Sequence, residues 1–291
     1  MTLWCSIFLL TAAFTTLRAR TAALSSGMAE FTTATTGRAV GSALASWTWL
    51  PEVNSTMEEA RRLLRERAAV DDPSSGVLAV GAAAQLAGRG TRGRAWLGAP
   101  GNVFLTVALP FSELKLRPVT LLPLRVGTLI APLVASRLAA PNGPRVALKW
   151  PNDVLIGEDK VSGVLIEMDG DDLLVGIGVN LRYAPDVPTS GADRGRRATS
   201  MSAHGADASD GTAEALAHAI AHAIATWARG SDDAPERVVD DWSALASWDA
   251  QLQLRDEGTL VAPLSLESDG RLRVRRQDTG QEQLLVAEYL Y

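Results

Sequence analysis

Strand-length apolar runs alternate with clusters of turn-forming residues through the middle of the chain. Most of these runs are bounded by Gly, Pro, Asn or Asp and are too short for a core helix, so they predict buried strands. The runs lie at 77–84, 103–109, 146–148, 154–156, 161–168 and 173–181. The last three are separated by short turn clusters, 157–160 and 169–172, which predicts hairpins between neighbouring strands.

Four segments predict helices. The first begins at Ser55–Glu58, where a hydroxyl N-cap precedes acidic residues in the first turn. The second, 120–140, is long and apolar and begins or breaks near its two internal prolines. The alanine-rich segment 213–228 and the segment 238–248 complete the set.

The C-terminal tail has a different pattern. Segments 251–254, 259–266 and 271–275 alternate apolar and polar positions, which is typical of half-buried strands. Asp269-Gly270 between the last two is a strong signal for a two-residue hairpin turn. The chain therefore predicts a mixed α/β body followed by a small all-β module.

Composition and charge exclude several classes of protein. A hydrophobic content of 47% and a charged content of 21% are ordinary for a globular protein. The formal net charge of −5 disfavours generic binding to nucleic acid, which needs a basic face. The single cysteine, Cys5, excludes an intrachain disulfide and a cysteine-built metal site, and it fits a reducing compartment. We therefore expect a cytoplasmic protein.

The N-terminal segment is unlike the rest. Its apolar run 4–10 is too short to span a bilayer, and Arg18 and Arg20 follow the run, whereas a signal peptide carries its cations before it. We expect residues 1–40 to form a poorly structured extension, with Met28 as an alternative start. A weak signal anchor remains the competing interpretation.

The motif Lys149-Trp150-Pro151-Asn152-Asp153 concentrates charged and polar groups around a stiff turn. Pro151 has a fixed φ and pushes Trp150 toward an extended conformation. Apolar runs flank the motif on both sides, so we interpret it as one strand interrupted by a rigid polar kink. Lys160-Val161-Ser162-Gly163 follows seven residues later. Such a kink is a good way to hold charged groups at a site on a sheet.

The glycine–arginine loop, 88–101, begins with Gly88-Arg89-Gly90-Thr91-Arg92-Gly93, which fits the pattern G-x-G-x-x-G of dinucleotide-binding folds. That interpretation fails because Arg94-Ala95-Trp96-Leu97-Gly98 cannot open the helix that would receive a pyrophosphate. Guanidinium groups spaced by glycines still suit a phosphate or a carboxylate. A solvated basic loop without function is the alternative of equal weight, and an RNA-binding arm is disfavoured by the acidic net charge.

Taken together, six ordered segments resemble the biotin protein ligases, the biotin–acetyl-CoA-carboxylase ligases. The resemblance covers roughly residues 45–250, and the small β tail is also similar to that family. The segments are Asn54-Ser55-Thr56, Gln85 to Trp96, Gly101-Asn102-Val103-Phe104-Leu105, Lys149 to Asp153, Lys160 to Glu167 and Gly176-Ile177-Gly178-Val179-Asn180.

The resemblance implies an α+β fold in which a mixed or antiparallel sheet packs against helices, as in class II synthetase-like ligases, with a C-terminal SH3-like β-barrel. It divides the chain into a catalytic domain over 41–245 and the SH3-like domain over 246–291. It also implies two reactions: biotin and ATP form biotinyl-5′-adenylate, and a lysine of a biotin carboxyl carrier domain then takes the biotin. ATP and Mg²⁺ are the implied cofactors, with no metal site built from protein side chains.

The same resemblance implies roles for individual residues. Lys160, Arg89 and Asp153 are the expected catalytic residues, with Lys160 bridging the biotin carboxylate and the α-phosphate. The expected biotin-binding residues are Ser55, Thr56, Gln85, Arg89, Gly90, Thr91, Lys160 and Gly163. The residues expected to bind ATP or the adenylate are Arg92, Arg94, Trp96, Lys149, Asn152 and Asn180.

Purely structural roles compete with several of these assignments. Ser55 and Thr56 are also good N-caps, and Trp150 is suited to the core. Lys160 stands where a hairpin tip places a solvated charge. His218 and His222 have a metal-like spacing on a helix but lack a third ligand, so we interpret them as packing or surface residues.

Rival functions are a lipoate–protein ligase-like acyl transferase and a biotin-binding regulator that does not transfer. The expected partner is the biotin carboxyl carrier domain of an acetyl-CoA or related carboxylase; DNA and membrane are not expected, and a homodimer is left open. Two positions depart from many relatives, which carry arginine where Thr91 stands and asparagine where Met57 stands. The absence of a guanidinium at position 91 predicts that the adenylate leaks from the site.

Overall fold

The computed structural model describes most of the chain, and every structural statement below concerns that part. The described residues are 35–37, 43–69, 76–139, 143–187, 197–230, 233–250, 252–254 and 258–287. The expected N-terminal extension, 1–40, lies outside them except for Thr35–Gly37, which forms a short edge strand. None of the described helices is long and apolar enough to cross a membrane.

A mixed eight-stranded sheet forms the body, with strand order β1-β2-β3-β4-β8-β7-β6-β5. Its neighbours pair antiparallel except β2 and β3, which are parallel and joined by the helix α1. The strands are β1 (Thr35–Gly37), β2 (Leu44–Leu50), β3 (Val77–Ala82), β4 (Val103–Pro110), β5 (Val146–Lys149), β6 (Asp153–Ile156), β7 (Asp159–Asp169) and β8 (Asp172–Val179). The predicted mixed sheet is confirmed.

The sequence pattern missed β1 and β2. In β2 only Leu44 and Trp47 are buried, because the strand lies near the edge of the sheet. Its polar and aromatic residues therefore lack the continuous apolar run that marked the central strands.

Helices cover both faces of the sheet. The helix α1 (Thr56–Ala69) packs on one face against β3 and β4, while α2 (Leu122–Ala135), α3 (Thr212–Gly230) and α4 (Pro235–Leu245) cover the other. A one-turn 3-10 helix precedes α2, and Pro123 stands in the first turn of α2, where a missing N–H costs nothing. Pro132 lies within α2 without ending it.

One prediction about the charged motif is wrong. The runs before and after it are not one kinked strand but two antiparallel strands, β5 and β6, in which Lys149 pairs with Asp153. Trp150 to Asn152 form the turn between them, with a cis peptide bond at Pro151. The proline turn reverses the chain completely, so both charged residues of the motif stand side by side.

A second, antiparallel sheet of four strands follows α4, as expected for an SH3-like module. Its strands are β9 (Leu252–Gln253), β10 (Leu260–Leu266), β11 (Leu272–Arg276) and β12 (Glu282–Leu285), and β12 was not predicted. The predicted turn before β11 is confirmed, with φ of +86° at Gly270. Val261 and Val274 join the core of the body, so the two sheets share buried apolar side chains. The domain limits 41–245 and 246–291 stay a prediction.

Candidate active site

A cavity of about 550 Å³ opens on the face of the large sheet that α1 covers. Its walls come from the start of α1, the glycine–arginine loop, the β5–β6 turn, β7 and β8. The predicted site residues that line it are Ser55, Thr56, Gln85, Arg89, Gly90, Thr91, Arg94, Trp96, Asn152, Lys160, Gly163 and Asn180. Lys149 and Asp153 lie behind this lining, and the side chain of Arg92 lies outside the described part of the chain.

Strand register explains why distant motifs meet here. Lys149 pairs with Asp153, Asp153 with Gly163, and Gly163 with Gly178, across β5, β6, β7 and β8. Directly paired residues of antiparallel strands project to the same face of a sheet. The row therefore presents two charged side chains and two glycines to the cavity face, and the glycines leave space above the sheet for larger groups.

Lys160 and Asp153 form the central ion pair of the site. The distance from Lys160 Nζ to Asp153 Oδ1 is 2.6 Å, and the side chains are 22% and 13% exposed. Burial alone would raise the pKa of Asp153, but the positive charges of Lys160 and Lys149 outweigh it, so the pKa lies below its ordinary value. Asp153 is therefore ionised at neutral pH and cannot serve there as a proton donor.

The backbone of Lys160 is held by a segment from much later in the chain. Lys160 N donates to Arg197 O at 2.9 Å, and Thr199 N donates to Lys160 O at 2.9 Å. Asn180 Nδ2 fastens the same segment through a 3.1 Å bond to Thr199 O. Asn180 Oδ1 is buried and has no hydrogen-bond partner in the described part of the chain. This acceptor beside the cavity is suited to a donor from a bound ligand.

Trp96 lies flat over the two glycines of the row. A Cβ atom at Gly178 would stand 2.2 Å from Trp96 Cε2, and one at Gly163 would stand 3.1 Å from its Cζ3. Lys160 Nζ lies 5.4 Å from the centroid of the indole, which allows a cation–π contact. Trp96 Nε1 is buried and finds no acceptor among the described residues.

A chain of hydrogen bonds organises the other end of the cavity. Thr106 Oγ1 donates to Thr56 Oγ1 at 2.9 Å, and Thr56 Oγ1 donates to Gln85 Oε1 at 3.2 Å. The backbone N–H of Thr56 also donates to Gln85 Oε1, at 2.9 Å. The helix α1 is therefore capped by a carboxamide from a distant loop, whereas the sequence offered Ser55 and Thr56 as its own caps.

Met57 closes this polar end with an apolar wall. Its side chain is 4% exposed, lines the cavity and packs on Gly176, where a Cβ atom would lie 3.0 Å from Met57 Sδ. The cavity thus has hydroxyl and amide groups on one side and a thioether on the other. Such a mixture suits a ligand head group with a polar edge and an apolar body.

The glycine–arginine loop forms a small hairpin beside the cavity, not the opening of a helix. Arg89 and Ala95 form a β-bridge, and a single 3-10 turn at Thr91–Gly93 makes the tip. Arg94 Nη2 donates to Thr91 Oγ1 at 3.2 Å. Arg89 Nη2 instead donates to Glu167 Oε2 on β7, at 3.3 Å. Two arginines of the same loop therefore point to different ends of the cavity.

Asn152 has a clear structural task. Its Nδ2 donates to Val164 O at 2.5 Å, and Val164 N donates back to Asn152 O at 3.0 Å. These bonds fasten the β5–β6 turn to β7. The predicted contact of Asn152 with a nucleotide stays a prediction.

His218 and His222 are placed as packing residues, away from the cavity lining. The rings of His218 and Trp47 meet edge to face at 5.1 Å, and burial lowers the pKa of His218. Among the described residues, no group of three or more His, Cys, Asp or Glu side chains could hold a metal ion.

Several cavity residues were not predicted as site residues. Met57 lines the cavity and was noted only as a departure from relatives. Glu167, which is not part of the lining but binds Arg89, was noted only as the end of a motif. Pro185, Val187 and Ala198, which follow β8 in the chain, also line the cavity. Nothing in a linear pattern signals such walls, because they depend on how a loop returns to the sheet.

Comparisons with known proteins agree with this geometry. Residues 49–182 match the model of the biotin/lipoate A/B protein ligase family. A biotin–[acetyl-CoA-carboxylase] ligase from Paracoccus denitrificans is 40% identical over 112 residues, which cover 35% of this chain and 44% of that protein. A ligase of the same name from Mycobacterium tuberculosis is 33% identical over 141 residues, covering 48% and 52%. The matched region thus spans about half the length of these curated relatives.

Solved structures extend the similarity over most of the fold. A biotin protein ligase from Leishmania major in complex with biotin has 32% identity and a TM-score of 0.61, and the alignment covers 82% of this chain and 98% of that one. One from Aquifex aeolicus in complex with biotin and ATP has 25% identity and a TM-score of 0.59, covering 83% and 99%. The fold is shared over most of this chain and nearly all of those chains. The chain therefore belongs to the biotin protein ligase family.

Proposed function

We propose that this protein is an ATP-dependent biotin protein ligase. It forms biotinyl-5′-adenylate from biotin and ATP, and then passes the biotin to a lysine of a biotin carboxyl carrier domain. The observation that carries the proposal is the convergence of Lys160, Asp153 and Trp96 from three separate motifs beside one cavity. Relatives solved with biotin, with biotinyl-5-AMP and with ATP support the choice of ligands.

The first step has an electrostatic problem that the site is suited to solve. A carboxylate must approach the α-phosphate of ATP, and both groups are negatively charged. Lys160 lines the cavity, with its Nζ 5.4 Å from the centroid of the Trp96 indole, and is the proposed contact of both reacting groups. A fixed cation at the place where negative charge develops lowers the barrier without reorganisation cost. Asp153 holds this ammonium in position through their ion pair.

The two substrates are proposed to bind at opposite ends of the cavity. The hydroxyl and amide groups of Ser55, Thr56 and Gln85 are the proposed partners of the ureido ring, because an unpaired buried polar group costs about 1–3 kcal/mol. Trp96 and Asn180 stand at the other end, where an indole face and an unpartnered amide oxygen suit an adenine ring. Arg94 is the proposed phosphate contact.

Magnesium would supply additional positive charge on the polyphosphate. Mg²⁺ in nucleotide sites is held largely by phosphate oxygens and water, with one or two protein carboxylates. Asp153 is committed to Lys160, and no cluster of metal-binding side chains occurs among the described residues. The residues present therefore fit a metal that arrives with the nucleotide rather than one held by the protein.

The second step brings the amine of the carrier lysine to the mixed anhydride. Asp153 is ionised and stands beside Lys160, so it can attract the incoming ammonium group and accept a hydrogen bond from the amine. We propose this steering role for Asp153. After the ammonium loses one proton to water, the neutral amine attacks the acyl carbon. The bond from that carbon to the phosphate oxygen breaks, AMP leaves, and the nitrogen loses a second proton to water as the amide forms.

A transfer assay tests the proposal directly. Purified protein, labelled biotin, ATP and a biotin carboxyl carrier domain should give a labelled carrier, and excess unlabelled lipoate should not reduce the label. Lys160→Ala should abolish adenylate formation, whereas the same change at the exposed Lys115 should leave it unaltered. Competition by lipoate would favour a lipoate ligase, and biotin binding without adenylate formation would favour a regulator that does not transfer.

A further inference from the structure

An ion-pair network that takes no part in the proposed reaction fastens the glycine–arginine loop to the large sheet. Glu167 Oε2 accepts hydrogen bonds from Arg89 Nη2, at 3.3 Å, and from Arg61 Nη2. Arg61 comes from α1 and also lies 3.6 Å from Asp169, measured from its Nε to Oδ1. We call Arg61, Arg89 and Glu167 the loop clasp.

The position of Glu167 shows what the clasp can do. Glu167 lies on the same face of β7 as Gly163 and Leu165, both of which line the cavity. Glu167 lies four positions after Gly163, which is about 13 Å along the strand. Trp96 packs on Gly163, and Arg89 reaches Glu167. The loop is therefore attached to β7 at two points, one at each end of the cavity.

The strength of the two attachments differs. Trp96 is wedged against glycines, whereas the Arg89 side chain is 43% exposed and makes an ion pair that water partly screens. Glu167 and Arg61 are 23% and 18% exposed, so the acceptor side of the clasp is the more rigid one. Because Arg61 has Asp169 as a second partner, Glu167 stays oriented when Arg89 leaves. The Arg89 attachment is the point at which the loop can lift.

We propose that Glu167 is a positioning residue that retains the ligand, by holding Arg89 so that the backbone of Gly90 and Thr91 stays beside the head-group end of the cavity. The inference rests on the proposed function, since the retained ligands are biotin and its adenylate. The Arg89 guanidinium is paired with Glu167 on β7, so its role in this proposal is to hold the loop closed. Release of ligand then requires the clasp to open.

Dissociation kinetics test this role. Glu167→Gln keeps the shape of the side chain and removes its charge, and Asp169→Asn is the matched control that leaves the Arg89 contact intact. We expect Glu167→Gln to raise the dissociation rate of radiolabelled biotin, chased with unlabelled biotin, by about five- to tenfold. The control should stay within about twofold. Adenylate formation at saturating substrate should change much less than the dissociation rate, which places the effect on KM.

A second variant separates the clasp from general damage to the fold. Arg89→Gln changes only an exposed loop side chain and should raise the dissociation rate by a similar factor. The double variant should be no faster than either single one, because both remove the same contact. Additive effects, or an unchanged dissociation rate in Glu167→Gln, would overturn the proposal.

Failure of the clasp is distinguishable from failure of the proposed function. Biotin dissociation needs no transfer, so it can be measured even in a protein that makes no adenylate. A wild type that binds biotin but lacks ATP-dependent transfer contradicts the function. A wild type that transfers biotin, with a Glu167→Gln variant that retains its adenylate equally well, contradicts the clasp alone.

Discussion

The Lys160→Met substitution, alone and combined with Asp153→Asn, allows the loss of adenylate formation and the loss of folding stability to be measured separately. Methionine keeps an unbranched stem against Gly163 and Trp96 but leaves Asp153 as a largely buried carboxylate without its nearest cation. The charge that most lowers the pKa of Asp153 is then gone, so burial raises the pKa relative to the wild type. An unpaired buried charge destabilises the folded state.

The size of this penalty follows from the exposure of the pair. Removing one partner of a fully buried pair costs about 3–5 kcal/mol. Here the side chains retain 22% and 13% exposure, and Lys149 remains beside Asp153, so we expect about 2 kcal/mol. For a chain of this length that lowers Tm by roughly 3–4 °C. Adding Asp153→Asn removes the stranded charge and should restore most of the loss.

The sign of the pH dependence is fixed by the same argument. In the wild type the low pKa of Asp153 contributes stability above about pH 4, and acid removes it as Asp153 protonates. In Lys160→Met the carboxylate is penalised when ionised, so the deficit should be largest at neutral pH and shrink toward about pH 5.

Thermal unfolding and pyrophosphate exchange measure the two effects. Both Lys160→Met and the double variant should lose adenylate formation by at least about 100-fold, while only the single variant should melt early. If the double variant regained adenylate formation, or if the single variant melted like the wild type, the assignment of Lys160 as the central cation of the site would be refuted.

Three further predictions concern the glycine row, the loop and the turn. Gly178→Ala should push Trp96 off the sheet, because the new Cβ would stand 2.2 Å from the indole, and should raise the KM for ATP by about tenfold. Thr91→Arg should reduce biotinylation of bystander lysines if the missing guanidinium makes the adenylate leak. Trp150→Phe should cost about 1 kcal/mol by losing its 3.0 Å bond to the carbonyl of the β10–β11 turn.

Each of these has a measurement that can contradict it. An unchanged KM for ATP in Gly178→Ala would mean that Trp96 does not contact the nucleotide. If the wild type and the Thr91→Arg variant labelled bystander lysines equally, residue 91 would not control leakage of the adenylate. For the turn, Trp248→Phe is the matched control, since Trp248 Nε1 also donates to a backbone carbonyl, at 3.1 Å. Only Trp150→Phe should also slow adenylate formation, because its turn carries Asp153.

Much of the fold could be predicted because the central strands are continuous apolar runs. The β4 and β8 strands are buried on both faces, so their sequences are almost entirely apolar or glycine. The strand β2, which lies next to the edge strand β1, was missed because it is only partly buried and has no such continuous apolar run. The hairpin at Pro151 was misread as a kink because proline reports a fixed φ but not the direction in which the chain leaves it.

Many of the residues that line the site could be predicted from the sequence, but their hydrogen-bond and ion-pair partners could not. Ordered motifs brought Lys160, Trp96 and Gln85 to one cavity, as expected. Their partners depend on three-dimensional packing: Gln85 caps a helix that begins 29 residues earlier, and Arg89 turns toward a carboxylate 78 residues later. No local pattern encodes such pairs.

The bond between Gln85 and the first N–H of α1 has a consequence for protein engineering. The side-chain amide of Gln85 is expected to bind the ligand, and its oxygen Oε1 also accepts the hydrogen bond that caps the N-terminus of α1. Ligand selectivity and helix capping therefore depend on the same atom. Libraries that randomise this position for altered substrate choice will be dominated by variants that are poorly folded. Redesign of the pocket is better begun at Met57, whose thioether makes no polar contact that the helix requires.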